Sequence, residues 1–175
     1  MTSSRTDFAP TARPRLVAIL ATPPLATSGT RTRRRLERLA PLLGCEQVVI
    51  ANLLRTPTAD VIAISSVGAA QKDWVQSRQG ILDAIHLADH VLLAWGTTEP
   101  TGTARNHHRD QVEWVLDAVA RCSVPVWTVG GTPRHPSRWQ RFTSRHLPGV
   151  AFDVALRGSL VASIPVRSPG QFSAL

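Results

Sequence analysis

VLLAWG, residues 91–96, is a short apolar run that ends at a glycine. An unbroken apolar run of about four to eight residues is typical of a strand buried on both faces of a parallel sheet. We therefore predict a strand over residues 91–94 and a sharp turn at Gly96, because glycine adopts backbone conformations closed to other residues. Similar runs predict three further strands, at residues 16–20, 48–51 and 124–129.

Helical patterns lie between the predicted strands. Apolar residues spaced three and four apart predict helices from about Thr32 to Gly44, over residues 74–88 and over residues 109–121. Residues 52–71 are predicted to form a loop with one helical turn at most, and residues 106–110 a polar loop before a helix. Alternating strands and helices favour an α/β fold, a three-layer sandwich around a mainly parallel central sheet of four to five strands.

The length of 175 residues fits a single α/β domain, predicted over residues 15–148. Residues 1–14 are predicted to be a flexible N-terminal tail, and residues 149–175 a C-terminal extension that could add an edge strand. No apolar run approaches the roughly 18 residues that cross a bilayer, and the first residues lack the pattern of a secretory signal. Cys45 and Cys122 are isolated. We therefore expect a cytoplasmic protein with no membrane contact, no metal site and no cofactor.

Strong positive charge points to an anionic partner. The formal net charge is +8, and all but one of the 20 basic residues are arginine. Arginines cluster within residues 31–38 and 134–145, and no acidic residue lies between Asp117 and Asp153. This distribution suits DNA or a nucleotide as partner, and a solvated basic surface is the alternative.

The first predicted strand leads through a loop, residues 21–30, into the start of a helix. Arg33, Arg34 and Arg35 occupy the first turn of that helix, where the helix dipole is already positive. Cations there are unfavourable unless an anion lies nearby, and helix N-termini bind phosphate through free backbone N–H groups. We therefore predict that these arginines bind an anion, with three solvated side chains as the alternative.

Two more strand ends carry candidate ligand-binding residues. Asn52 follows the second strand and has the donors and the acceptor that read a nucleobase edge, and Arg55 can pair with a phosphate or carboxylate. Trp95 follows the third strand and can stack on a flat ligand, and Gly96 lets the backbone approach that ligand. The alternatives are that Asn52 only forms a turn and that Trp95 packs in the core.

The fourth strand ends in GGTPRHPS, residues 130–137. Two prolines flank His135 and stiffen the loop, and the neighbouring Arg134 disfavours a charged imidazole. A neutral imidazole suits donation of a hydrogen bond to a developing oxyanion, so we predict a catalytic role for His135. Arg134 and Ser137 are predicted to bind ligand, and a loop-stabilising imidazole is the alternative for His135.

These three motifs together resemble a bacterial family catalogued as domain of unknown function 1643. The matching residues are Asn52 to Thr56, Ala94 to Gly96 and Thr132 to Pro136, and the resemblance spans about residues 16–139. The family usually carries Asn-Pro-Ser after its first strand, where this chain has Thr22-Pro23-Pro24. The resemblance implies a site at the strand ends and names no activity.

A weaker similarity links the same residues to the uracil-DNA glycosylase superfamily. Those enzymes have an α/β sheet, a base-reading Asn after a strand, a Trp-Gly strand end and a His-Pro-Ser loop. Asn52, Trp95-Gly96 and His135-Pro136-Ser137 occur in that order. The similarity implies a uracil-DNA-glycosylase-like fold in which Asn52 reads a flipped base and His135 stabilises negative charge on its carbonyl. The first loop of this chain has no Asp to activate water.

Three functions are therefore considered. The leading hypothesis is a protein that binds a nucleobase, nucleotide or nucleic acid in a crevice at the strand carboxyl ends, where doubly wound folds bind ligands. If it is an enzyme, it is expected to be a glycosylase-like hydrolase of an N-glycosidic bond. The alternatives are an enzyme or sensor for a small anionic metabolite, and a non-catalytic interaction module.

Overall fold

The computed structural model describes residues 13–25 and 29–163 of the chain. Most of the predicted N-terminal tail, positions 26–28 of the first loop and positions 164–175 of the predicted extension lie outside these ranges. The strands are β1 (Arg15–Leu20), β2 (Gln47–Asn52), β3 (His90–Leu93), β4 (Val126–Val129) and β5 (Leu160–Ser163). The helices are α1 (Gly29–Leu39), α2 (Val61–Val67), α3 (Gln71–Val75), α4 (Arg78–His86), α5 (Thr103–Cys122), α6 (Trp139–His146) and α7 (Phe152–Gly158).

One five-stranded sheet forms the centre of the molecule, in the order β2-β1-β3-β4-β5. The first four strands are parallel, whereas β5 runs antiparallel to β4 at the edge. Leu16 aligns with Val48 of β2 on one side and with His90 of β3 on the other, so β1 is an interior strand, next to the edge strand β2. The predicted α/β fold with a mainly parallel sheet is confirmed. The edge strand β5 lies within the segment predicted as an extension.

Helices cover both faces of the sheet and divide the core into two layers. Successive side chains of β1 point to opposite faces, so Val17 and Ile19 contact one layer while Leu16 and Ala18 contact the other. The first layer holds buried side chains of α3, α4 and α5, among them Trp74, Ile85 and Val119. The second holds those of α1, α6 and α7, among them Leu36, Trp139 and Leu156.

Three predicted helix boundaries are wrong. The helix predicted over residues 74–88 is two helices, α3 and α4, separated at Gln76 and Ser77. Residues 52–71 contain α2, whose first turn is capped because the Asp60 Oδ1 accepts a hydrogen bond from the Ala63 N–H at 2.9 Å. α5 begins at Thr103, so residues 106–110 are helical and do not form the predicted loop. The sequence did not indicate this because two residues on the buried face of α5, His108 and Gln111, are polar and interrupt the apolar periodicity.

The first helix ends short of Gly44, as proline at position 41 favours. α1 stops at Leu39, and Pro41 lies in a short 3-10 turn, Ala40–Leu43, that follows it. Gly44 then reverses the chain with φ of 73°, a left-handed conformation that favours glycine. Within residues 13–25 and 29–163, no helix combines the length and apolarity needed to cross a membrane.

Candidate functional site

A crevice opens between the carboxyl ends of β1 and β3. The strand order reverses direction at this pair, and such a switch point is where open α/β sheets leave room for a ligand. The crevice has a volume of about 330 Å³, within the usual range for small-molecule sites. We call it the inner crevice; its lining includes Thr22, Trp95, Gly96, His108, Arg134 and His135.

A second, more open depression adjoins the inner crevice. This outer groove has a volume of about 820 Å³ and lies against the start of α1, where its lining includes Arg31, Arg33 and Arg34. Because α1 begins at Gly29 and not near Thr32, the prediction that Arg33, Arg34 and Arg35 occupy its first turn is wrong, and they stand in the second turn. Residues from three loops line both cavities, so the two meet along them: Thr22, Thr58, Ala59, His135 and Ser137. The site therefore has a mixed polar and apolar inner part and a cationic outer part.

His135 stands where the two cavities meet. Its Nδ1 accepts a hydrogen bond from the Ser137 N–H at 3.2 Å and lies 2.8 Å from the Ser137 Oγ. Burial lowers the pKa of His135, and the positive charges of Arg138 and Arg35 lower it further. The neutral ring that results carries its proton on Nε2, because Nδ1 is occupied as an acceptor. His135 thus offers one N–H donor to the cavities it lines.

Three hydrogen bonds hold the loop that carries His135. The Trp139 Nε1–H donates to the Arg134 carbonyl oxygen at 2.8 Å, and the Arg35 Nη1 donates to the Pro136 carbonyl oxygen at 2.6 Å. The Gly96 N–H donates to the Pro133 carbonyl oxygen at 2.6 Å. These bonds join the loop to α6, α1 and the end of β3, so the imidazole is fixed from three sides.

The structure separates the three arginines predicted at the start of α1. Arg33 and Arg34 line the outer groove, and Arg33 also lies 4.0 Å from the Glu37 carboxylate one turn later. Arg35 lines neither cavity and instead binds the Pro136 carbonyl oxygen. No acidic residue occupies the first turn of α1, so nothing on that turn offsets the positive helix end.

Arg134 carries a cation to the wall of the inner crevice. Its guanidinium carbon lies 4.1 Å from the centre of the Phe142 ring, and its Nε is buried without a hydrogen-bond partner. No carboxylate among residues 13–25 and 29–163 forms an ion pair with it. The aromatic face therefore supports a charge that remains available to an anion.

The remaining predicted residues differ in their placement. Asn52 ends β2 and lines the outer groove, and its Oδ1 is buried with no hydrogen-bond partner. Trp95 is only 8% exposed and packs in the core, so it forms part of the crevice wall rather than a free stacking surface. Arg55 lies in a separate depression beside α4, which it shares with Asn52, and it lines neither the inner crevice nor the outer groove.

Two lining residues were not predicted as site residues, although His108 belongs to the polar cluster at residues 106–110 that could close over the crevice. Asp60 caps α2 and places a carboxylate on the inner crevice, where the first loop has none. His108 projects from α5 to the same crevice and is 7% exposed. Its signal in the sequence was the spacing of Ala104, His108 and Gln111, which share the buried face of α5. No three His, Cys, Asp or Glu side chains of the described ranges come together as a metal site requires.

Acidification from about pH 7.5 to 5.5 is expected to lower the free energy of unfolding. Burial lowers the pKa of His108 and His135 below the ordinary 6.5, and unfolding restores it. Below about pH 6.5 the unfolded chain therefore binds more protons than the folded chain. The contribution of the two neutral histidines to the free energy of unfolding is complete above that pH. It is lost as the pH falls toward the pKa values of the folded state.

Urea unfolding at the two pH values measures the effect. His135→Gln and His108→Gln should each reduce the pH dependence, whereas the control His86→Gln, at an exposed position on α4, should leave it unchanged. A parent protein equally stable at both pH values would contradict the prediction.

Comparison of the chain with protein-family models finds a match that covers all three motifs. A family model described as "Protein of unknown function (DUF1643)" matches residues 9–137, well over half of the chain. The match includes Asn52, Trp95 and the loop through Ser137, and so covers most of the lining of both cavities. Neither the curated proteins nor the solved structures contain a match to this chain. The chain belongs to the DUF1643 family.

Proposed function

We propose that the joined cavities bind a nucleotide, as a free molecule or as part of a nucleic acid. The observation that carries the proposal is that His135 and Ser137 line both the inner crevice and the cationic outer groove. A nucleotide has the matching chemistry, since a flat, uncharged base is joined through a sugar to an anionic phosphate. The base fits the inner crevice, and the phosphate fits the outer groove.

The donors and charges are distributed as this ligand requires. In the inner crevice, the His135 Nε2–H can donate to a carbonyl oxygen of the base. In the outer groove, the Asn52 Oδ1 has no partner among residues 13–25 and 29–163, and Arg33 and Arg34 line the groove one turn after the first N–H groups of α1. Free N–H groups at a helix N-terminus bind phosphate oxygens, and the two guanidinium groups add to that attraction.

Hydrolysis of an N-glycosidic bond is the catalytic form of this proposal. In that step the oxygen of water bonds to the sugar carbon, the bond from that carbon to the base breaks, and the base leaves with the electron pair. A hydrogen bond from His135 would stabilise the negative charge that develops on the base carbonyl. Asp60 is the carboxylate on the inner crevice that could accept the proton of the water. The order of Asn52, Trp95 and His135, which resembles the motif order of uracil-DNA glycosylases, supports the same interpretation.

Nucleotide affinity tests the proposal. Calorimetric titration with deoxyuridine monophosphate should give measurable binding, and His135→Ala should weaken it roughly tenfold or more, the cost of one hydrogen bond to the base. His86→Ala replaces an exposed histidine of α4 that lines neither cavity and should bind like the parent. Circular dichroism of each variant checks that the fold is retained.

Two further ligands separate the alternatives. Ribose 5-phosphate binding as tightly as the nucleotide would show that the base is not recognised, which favours a small anionic metabolite. A steep loss of oligonucleotide binding with salt would indicate several phosphate contacts, whereas a shallow slope indicates one. The proposal would be contradicted if none of the probes binds, or if the parent and His135→Ala bind the nucleotide equally well. A non-catalytic interaction module would then be the remaining hypothesis.

A further inference from the structure

His108 is a histidine of the inner crevice whose side chain has no hydrogen-bond partner in the part of the chain that the structure describes. It lies on α5, is more than nine-tenths buried, and its ring contacts the edge of Trp74 at 5.8 Å between ring centres. Nδ1 is fully buried and unpaired. A buried polar atom without a partner is costly, and a core position would ordinarily be filled by an apolar side chain. The imidazole thus points to a ligand that uses it.

The surroundings of His108 determine which nitrogen carries the proton. Nε2 also makes no hydrogen bond to residues 13–25 and 29–163, but unlike Nδ1 it is not among the fully buried atoms. A proton on Nδ1 would create a buried N–H with no acceptor, and orphaned donors are rarer than orphaned acceptors. The neutral ring therefore places its N–H on Nε2, the nitrogen that is not fully buried.

The geometry points to His108 as a residue that selects the base, acting with His135 as a pair of Nε2–H donors on one crevice. This inference rests on the proposed function and names the class of base. Two donors pair with ring substituents that accept hydrogen bonds, so the inner crevice selects oxo-substituted bases. An amino group at the same position would meet a donor and leave both unpaired, which is how buried polar sites reject an analogue.

Matched nucleotides that differ by one oxo or amino group test the selection. Inosine monophosphate and adenosine monophosphate form one pair, and uridine monophosphate and cytidine monophosphate form the other. The parent should bind the oxo member at least about tenfold more tightly in at least one pair, and His108→Phe should reduce that preference to less than about threefold. Phenylalanine keeps a ring against Trp74, so the fold is expected to survive.

Two controls distinguish recognition from a structural effect. Ribose 5-phosphate affinity should be equal in the parent and in His108→Phe, because the outer groove is unchanged. His108→Gln keeps an N–H donor and should therefore retain part of the preference for oxo nucleotides. A purely structural role of His108 would not predict this difference between glutamine and phenylalanine.

The outcomes separate this inference from the proposed function. Nucleotide binding that His135→Ala weakens, with an oxo preference unchanged in His108→Phe, would overturn the role of His108 and leave the proposed function standing. A parent that prefers the amino members would also overturn it. If no nucleotide binds the parent at all, both proposals fail together.

Discussion

Trp139→Ala is expected to lower the free energy of unfolding by about 3–5 kcal/mol, the usual cost of truncating a buried tryptophan. Trp139 begins α6, is completely buried, and packs in the core layer that includes Leu36 and Leu156. Its Nε1–H also donates to the Arg134 carbonyl oxygen. Alanine would leave a cavity in that layer and release one of the three bonds that hold the His135 loop.

Urea unfolding of Trp139→Ala and Trp139→Phe separates packing from hydrogen bonding. Trp139→Phe retains most of the ring and should cost less than alanine, yet it still leaves the Arg134 carbonyl without its indole donor. Trp114→Phe is the matched control, because the Trp114 ring is only partly buried and its indole N–H makes no hydrogen bond to residues 13–25 and 29–163; phenylalanine also keeps a ring under the Arg78 guanidinium. A Trp139→Ala protein within about 1 kcal/mol of the parent would show that α6 packs differently.

Gln111→Leu is expected to cost about 2–4 kcal/mol although leucine is apolar and similar in volume. Gln111 is fully buried, and its Nε2 donates to the carbonyl oxygens of Leu53 and Trp74, each at 3.1 Å. Its Oε1 accepts a hydrogen bond from the Arg78 Nε at 3.0 Å. Leucine would orphan two carbonyl oxygens and the arginine nitrogen, and each buried group left unpaired costs about 1–3 kcal/mol.

Gln140→Leu provides the comparison for Gln111→Leu. Gln140 is exposed on α6 and its amide makes one long contact, 3.5 Å from the Ser144 Oγ. The same substitution there should change the free energy of unfolding by less than about 0.5 kcal/mol. Equal effects at the two positions would mean that the three bonds of Gln111 contribute no net stability.

The strands could be predicted because their side chains are buried on both faces. β1 and β3 lie inside the sheet, so residues 16–20 and 91–93 appear in the sequence as continuous apolar runs with no polar alternation. β5 is different, because it lies at an edge and its consecutive residues Val161 and Ala162 are both exposed. For that reason the sequence indicated an edge strand there only as one option.

The helices were harder to predict where polar residues occupy the buried face. His108 and Gln111 stand at inward positions of α5, so an apolar pattern detects that helix only from residue 109 onward. α6 was not predicted at all, because Trp139 and Thr143 are its fully buried positions and Arg141, Arg145 and His146 surround them. Two buried positions in eight residues give too weak a period to recognise.

The loops of the site could be predicted from the sequence, whereas the contacts that bring these loops together could not. Glycine and proline around His135 indicated a rigid loop, and the strand order places that loop beside the ends of β1 and β3. Arg35 was expected at the ligand and binds the Pro136 carbonyl oxygen instead, because the loop after β4 packs against α1. Contacts between segments about a hundred residues apart depend on tertiary packing, which local patterns do not encode.

The interior position of β1, between β2 and β3, has a consequence for the nascent chain. The Arg15 N–H binds the Asp89 carboxylate, 74 residues later, and β3 follows directly after it. During synthesis β1 can pair with β2 early, but its other edge stays open until β3 has left the ribosome. An open apolar strand edge pairs readily with other chains, and sheets with long-range parallel pairing form slowly. Translation speed through residues 47–93 therefore sets how long aggregation competes with completion of the sheet.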